Sequence, residues 1–131
     1  MKFFHLADLH LGRKLLGESL IEEQRYILEE IMKNVRVEKP DGIFICGDIY
    51  DKYIPSSEAV ALFDSFLEAL VKENCEVFII SGNHDGASRL EFASGLLKKQ
   101  KVHICGTYKG KIESVERKDE YGKLTVYLLP F

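Results

Sequence analysis

The sequence lacks several features that mark membrane, secreted, disulfide-rich or zinc-knuckle proteins. No apolar stretch reaches the roughly 18 residues that a membrane-spanning helix needs, and the first residues lack the apolar segment and cleavage site of a secretory signal. The chain has three cysteines and no Cys-x-x-Cys pair, which argues against a disulfide framework and a zinc knuckle. We expect a cytoplasmic protein in which Cys46, Cys75 and Cys105 are buried or half-buried thiols.

An excess of basic residues is also missing. The formal net charge is −3, so the chain has no general electrostatic footprint for nucleic acid. One small basic run, Lys98, Lys99 and Lys101, is able to touch phosphates, although such runs are more often solvated helix ends. With 131 residues and 46% hydrophobic content, the chain has material for one globular domain, or part of one.

Strand-like and helix-like segments alternate along the chain. Helical periodicity and start signals predict three helices, which begin near Ser19, Pro55 and Ser88, the first running to about Glu38. Short apolar runs predict six strands, at residues 2–7, 42–46, 77–80, 102–105, 112–115 and 124–129, with a turn at 118–122. The alternation predicts an α/β fold with a mostly parallel sheet flanked by helices and a C-terminal β hairpin.

Three polar clusters each follow one of the first three predicted strands. They are Asp8-Leu9-His10, Gly47-Asp48-Ile49-Tyr50-Asp51 and Gly82-Asn83-His84-Asp85. Parallel strands that end on the same side of a sheet bring such loops to one edge. Carboxylates, imidazoles and an amide gathered there suit Mn, Fe, Zn or Mg ions, and their convergence without a cation would be electrostatically costly. The spacing indicates a metal-dependent hydrolase.

The first two clusters offer metal ligands. Asp8 and His10 lie two positions apart, so on an extended backbone both side chains point the same way and reach one ion. Asp48, at a strand end, is able to bridge two ions about 3.5–4 Å apart. Taken alone, each cluster is more often structural, because Asp, Asn and Gly favour turns and caps.

The third cluster adds an amide and a second imidazole. Asn83 offers a neutral carbonyl oxygen to a hard cation. His84 is able to act as an acid or to contact a phosphate instead of binding metal, and Asp85 is able to orient its imidazole. Gly82 and Gly86 allow the backbone to turn sharply close to a ligand.

The order Asp-x-His, Gly-Asp and Gly-Asn-His-Asp resembles the signature of the calcineurin-like metallophosphoesterases, whose domain is an αββα sandwich. Within that superfamily the chain is most similar to the SbcD/Mre11 DNA repair nucleases. The similarity lies in residues 8–12, 47–51 and 81–85 and in Leu128-Leu129-Pro130-Phe131, which resembles a strand partway through the phosphoesterase domain of SbcD proteins. It implies that residues 1–131 form the N-terminal portion of a nuclease domain, the first half of the sandwich.

This resemblance also implies the site and its chemistry. Two divalent ions, Mn²⁺ by preference, would be held by Asp8 and His10 on the first, Asp48 between the two and Asn83 on the second. His84 would contact the scissile phosphate and assist the leaving oxygen, with Asp85 behind it. The implied substrate is DNA, degraded from double-strand ends in the 3′-to-5′ direction and cut endonucleolytically on single strands.

Partners and further ligands are implied in the same way. An SbcC/Rad50-type ATPase would be the partner, and a homodimer would form through the second and third helices, where Leu62, Phe63 and Phe66 predict a broad apolar surface. The family completes its site with three histidines of Gly-His and Gly-His-x-His motifs, which the 131 residues lack. We expect a half-site, with His5 and His103 as core or supporting residues.

Two other functions agree with the same motifs. A phosphoesterase acting on small phosphodiesters or phosphoproteins would use the same metal centre and would hydrolyse a simple aryl phosphodiester without cutting DNA. A non-catalytic binding or assembly module would keep the motifs and bind DNA or the ATPase without cleavage.

Overall fold

The chain folds into eight strands and four helices in the computed structural model, which describes all of residues 1–131. In chain order they are β1 (Phe3–Leu6), β2 (Lys14–Leu15), β3 (Glu18–Ser19), α1 (Ile21–Glu38), β4 (Gly42–Cys46), α2 (Ser57–Lys72), β5 (Glu76–Ile80), α3 (Ala87–Leu90), α4 (Ser94–Leu97), a 3₁₀ turn (Lys98–Gln100), β6 (Val102–Cys105), β7 (Glu113–Asp119) and β8 (Gly122–Leu128). Four strands form a parallel sheet in the order β1-β4-β5-β6, and β7 and β8 pair as an antiparallel hairpin. The predicted α/β architecture is confirmed.

Helices α1 and α2 cover one face of the sheet. Ile43 and Ile45 of β4 and Ile79 of β5 are fully buried there, within a cluster of 18 buried apolar residues that includes Leu28 of α1 and Phe66 of α2. The hairpin packs on the other face. Because both faces are covered, the central strands are continuous apolar runs rather than alternating ones.

The face under the hairpin is aromatic. Phe44 stacks on Phe3 with ring centroids 4.8 Å apart and lies 5.4 Å from Phe78. Leu128 of β8 packs against this group, whose buried members are Phe78, Cys105 and Leu128. Cys75 is buried as well and Cys46 is half-buried, which confirms the prediction for the thiols.

The first helix begins two residues later than predicted. Ser19 lies in β3, and α1 begins at Ile21 with no side-chain cap. Leu16 and Gly17 both have positive φ, 51° and 88°, and form the two-residue turn between β2 and β3; such turns match the twist of paired strands. The capping box at Ser19 was therefore wrong, because Ser19 belongs to a small hairpin.

The third predicted helix is interrupted. Ala93 has a left-handed φ of 59° and separates α3 from α4. Ser88 lies inside α3, whose N-cap is Gly86, so the second predicted capping box is also wrong. Glu91 does not turn back to the helix start, because its carboxylate accepts a hydrogen bond from the N–H of Gly106 after β6, at 3.0 Å.

The second helix begins as predicted but faces inward. The Oγ of Ser56 accepts a hydrogen bond from the N–H of Ala59 at 3.2 Å and caps α2. Leu62, Phe63 and Phe66 are at most 4% exposed, so the predicted apolar surface around them is absent; α1 and the sheet already cover it. None of the helices combines the length and apolarity needed to cross a membrane.

Candidate metal centre

The loops after β1 and β4 run side by side at one edge of the sheet. The N–H of Asp8 donates to the carbonyl of Gly47 at 3.2 Å, and the N–H of His10 donates to the carbonyl of Asp48 at 2.9 Å. These bonds continue the pairing of the parallel neighbours β1 and β4 beyond their ends. The strand pattern predicted this convergence.

The backbone at this edge has an uncommon conformation. Asp8, His10 and Asp48 have φ values of 55°, 44° and 48°, in the left-handed region that non-glycine residues seldom adopt. Such residues cost roughly 1–3 kcal/mol each and are concentrated at functional sites. The loop after β5 approaches closely, since a Cβ on Gly82 would collide with the Asp48 carboxylate. Glycine at position 82 thus lets three loops meet.

The side chains there have the spacing of metal ligands. The Nε2 atom of His10 lies 3.7 Å from Oδ1 of Asp8 and 3.9 Å from Oδ2 of Asp48. Two ligands that each lie about 2.1 Å from one ion are at most about 4.2 Å apart, and both distances meet this limit. Ligand atoms of His10, Asp48 and His84 all lie within 4.8 Å of one another. The donor set fits a divalent cation.

The charges support the same fit. Asp48 is buried, and Oδ1 of Asp51 lies 3.6 Å from Nδ1 of His10. Among basic side chains, the carboxylates of Asp8, Asp48 and Asp51 closely approach only the imidazole of His10, and no lysine or arginine pairs with them. Carboxylates gathered around one imidazole repel one another. A divalent cation would offset that repulsion, so the residues fit the metal that the motifs imply.

His84 lies at the rim of this group. Its ring is edge-on to that of His10, with centroids 4.9 Å apart. The backbone N–H of His84 donates to Oδ1 of Asp48 at 2.9 Å. Its Nδ1 lies 2.9 Å from the carbonyl oxygen of Asp51; because a carbonyl only accepts, Nδ1 carries a proton. This hydrogen bond is the main reason that the pKa of His84 is raised. Burial opposes the shift, and nearby carboxylates add to it.

Asp85 serves the loops rather than the imidazole of His84. Its buried carboxylate accepts hydrogen bonds from the N–H groups of Ile49, Tyr50 and Gly82, at 3.3, 3.0 and 2.9 Å. It therefore joins the loop after β4 to the loop after β5. The expectation that Asp85 orients His84 needs correction, because these N–H groups occupy its oxygens and a backbone carbonyl binds the ring instead.

The remaining predicted ligand is Asn83. It is exposed in the loop after β5 and is next to His84, so its backbone lies at the same edge. Asp8 is exposed too, with 71% of its side chain accessible. Both side chains are open to an ion that enters from solvent.

Sequence reasoning missed Gln24 of α1. Its Nε2 donates to the carbonyls of Leu9 and His10, at 3.2 and 2.8 Å, and its Oε1 accepts from the N–H of Gly12 at 2.9 Å. Gln24 thus holds the loop that carries Asp8 and His10. A signal existed, since Gln24 is a polar residue in line with the inward-facing Ile21 and Leu28.

The other two histidines lie away from this edge. His103 is buried in β6, and its Nε2 lies 2.7 Å from Oε1 of Glu76. Arg117 of β7 binds the same carboxylate, with Nε 2.7 Å from Oε2. Glu76 begins β5, so this group lies at the opposite end of the sheet. His103 is a core residue as predicted, whereas His5 is exposed, which corrects the expectation for it.

Comparisons with known proteins agree with this geometry. Residues 1–127 match the family model described as calcineurin-like phosphoesterase. Over its full length the chain is 36% identical to the SbcD component of the nuclease SbcCD of Staphylococcus epidermidis and 35% identical to that of Staphylococcus saprophyticus subsp. saprophyticus. It covers 34% of each, so the chain spans about a third of the length of the curated relatives it matches.

Proposed function

The chain belongs to the calcineurin-like phosphoesterase family, and from this premise we propose that it forms the N-terminal part of an SbcD-like nuclease that hydrolyses phosphodiester bonds in DNA. The observation that carries the proposal is the imidazole of His10, which lies at ligand spacing from both Asp8 and Asp48 with no lysine or arginine among their partners. Similarity over the whole of this chain to part of a nuclease component supports DNA as the substrate.

The proposed centre holds two divalent ions, Mn²⁺ in this proposal. Its ligands are Asp8 and His10 for one ion, Asp48 between both and Asn83 for the other. When bound, the ions supply positive charge that stabilises the phosphoryl transition state. Two such ions take about six ligands each, more than these residues provide. We therefore propose that further ligands come from parts of a longer protein beyond residues 1–131.

His84 is the proposed acid. Its Nδ1 is held by the carbonyl of Asp51, which leaves Nε2 to meet the substrate. The hydrogen bond to Asp51 raises the pKa of His84, and a protonated ring would donate Nε2–H to the scissile phosphate or the leaving oxygen. Asp85 contributes by holding the two loops together.

The proposed partners are DNA, an SbcC/Rad50-type ATPase and a second copy of the chain. The homodimer would form through the segment of α3 and α4, because the apolar side chains predicted to form a surface on α2 are buried. In that segment Phe92 and Leu96 are 81% and 69% exposed, which supports a contact there. Large apolar side chains left this exposed indicate an interaction surface when they lie together.

Mn²⁺ binding and cleavage test the proposal together. In a longer protein that contains residues 1–131 and supplies the further ligands, we expect calorimetry to detect Mn²⁺ binding that Asp48→Asn abolishes and that Asp64→Asn, a change at an exposed position of α2, leaves intact. Mn²⁺-dependent DNA cleavage should follow the same pattern. Hydrolysis of an aryl phosphodiester without DNA cleavage would favour the small-molecule esterase, and DNA binding without cleavage would favour the assembly module. Absence of metal binding would contradict the proposal.

A further inference from the structure

One nitrogen of His10 has no partner. Its Nδ1 is shielded from solvent and makes no hydrogen bond. Its Nε2, on the other side of the ring, faces Asp8 and Asp48. A buried polar atom without a partner costs about 1–3 kcal/mol. The orientation of this ring therefore needs an explanation beyond its two carboxylate neighbours.

Asp51 faces that nitrogen. Its Oδ1 lies 3.6 Å from Nδ1 of His10, somewhat beyond the usual limit of about 3.2 Å for a hydrogen bond. Active-site hydrogen bonds are often long before a ligand is bound. The backbone of Asp51 is already fixed, since its N–H donates to the carbonyl of Leu11 at 3.1 Å. The two atoms would have to approach by about 0.4 Å to form the bond.

The chemistry of imidazole indicates what the contact between Asp51 and His10 does. A neutral imidazole carries one proton, and the nitrogen that binds a metal must be the one without it. A carboxylate only accepts hydrogen bonds, so Asp51 favours the proton on Nδ1. Nε2 of His10 then presents its lone pair toward Asp8 and Asp48, where the ion would lie. Carboxylates commonly fix metal-binding histidines in this way.

The same residue also holds the second imidazole. The carbonyl of Asp51 accepts from Nδ1 of His84 at 2.9 Å, so both rings lie with Nδ1 toward Asp51. Asp85 is not an alternative, because its oxygens bind backbone N–H groups. We propose that Asp51 is also the positioning residue for His10, because its carboxylate holds the proton of that ring on Nδ1.

This inference rests on the proposed metal centre, yet its test begins without metal. The tautomer of each histidine is read by long-range ¹H–¹⁵N correlation in the ¹⁵N-histidine-labelled, metal-free chain at about pH 8.5, well above the ordinary histidine pKa of about 6.5. We expect the proton of His10 on Nδ1 in the wild type. In Asp51→Asn and Asp51→Ala that preference should be lost. An asparagine amide both donates and accepts hydrogen bonds, and an alanine side chain does neither, so neither one favours the proton on Nδ1.

His84 serves as the internal control. Its partner is a backbone carbonyl, which both variants retain, so its Nδ1–H tautomer should persist in each. An unchanged His84 and an unchanged backbone amide spectrum show that the fold is intact. If His10 keeps its tautomer in Asp51→Asn, or holds its proton on Nε2 in the wild type, the inference is wrong.

A second measurement links the tautomer to the ion. Mn²⁺ affinity should fall about 10- to 100-fold in Asp51→Asn, while the matched change Asp64→Asn has no effect. An Asp51-dependent tautomer in a longer protein that contains residues 1–131 and still binds no Mn²⁺ would sustain the positioning role and contradict the metal centre. Unchanged affinity in Asp51→Asn would overturn the role of Asp51 toward the ion.

Discussion

The two ends of the sheet each carry a histidine beside carboxylates, and they differ in how the charge is balanced. At the end where β5 begins, the carboxylate of Glu76 binds both His103 and Arg117. At the other end, Asp8, Asp48 and Asp51 surround His10, and none of them pairs with lysine or arginine.

The difference separates a structural group from a candidate ligand group. Arg117 neutralises Glu76 within the fold, so nothing further is needed there, and the contact joins the hairpin to the sheet. The carboxylates around His10 have no such internal cation. Removing one side chain at the His10 end should therefore affect ion binding and turnover. Removing one at the Glu76 end should affect stability.

The largest expected effect is on turnover. In the active nuclease, His84→Ala should lower DNA cleavage by about 10²–10⁴-fold, because a general acid contributes that much, and should leave Mn²⁺ affinity nearly unchanged. Cleavage rates and calorimetry on the same preparations test this. His103→Ala, at the opposite end, is the control for the rate per folded molecule. Loss of Mn²⁺ in His84→Ala would make His84 a metal ligand instead.

At the other end, Glu76→Gln should lower the free energy of unfolding by about 2 kcal/mol. Breaking a buried ion pair costs about 3–5 kcal/mol, and we expect less because Arg117 is 37% exposed. Urea denaturation measures the change. Glu116→Gln is the matched control, since its pair with Lys123 is well exposed and should contribute less than about 1 kcal/mol. Equal effects of the two changes would remove the contrast between the ends.

The stabilisation by Glu76 should also depend on pH. Burial alone would raise the pKa of Glu76, but its hydrogen bonds with Arg117 and His103 outweigh burial and lower that pKa. The unfolded value is about 4.3, so the stabilisation is complete above that pH and is lost as the pH falls through the folded pKa. The difference in unfolding free energy between wild type and Glu76→Gln should therefore shrink below about pH 4. A difference that grows in acid would contradict this.

The smallest expected effect comes from Gln24→Glu. A carboxylate still accepts from the N–H of Gly12 but is unable to donate to the carbonyls of Leu9 and His10. The free energy of unfolding should fall by about 1 kcal/mol, and Mn²⁺ affinity by a few-fold as the loop loosens. Denaturation and calorimetry measure both. Gln100→Glu, in the 3₁₀ turn, is the control; equal effects would exclude a special role for Gln24.

The edge of the sheet where the loops meet could be predicted from sequence because it follows from strand order alone. Apolar runs ending at Asp8 and Asp48 required only that β1 and β4 be parallel neighbours. The cap at Ser56 was equally local, since Pro55 precedes it and the helical pattern follows. Such features depend on residues close together in the chain.

The errors concern side chains with a choice of partners. Ser19 and Ser88 each fit a capping box, but the turn at Gly17 places Ser19 in a hairpin, and α3 begins one residue before Ser88. Asp85 was expected to bind the neighbouring imidazole, and the three N–H groups that it binds instead became available only when two loops met. Long-range partners of this kind are not encoded in local spacing.

The backbone hydrogen bonds between the loops after β1 and β4 have a consequence for chain entropy. They align Asp8 with Asp48, 40 positions away in the sequence, so a cation bound by both would act as a reversible cross-link closing a loop of that length. Because the donors are already in place in the folded chain, an ion would bind the native state far better than the unfolded one. Each tenfold rise in free ion above the dissociation constant would then add about 1.4 kcal/mol to the stability of the fold.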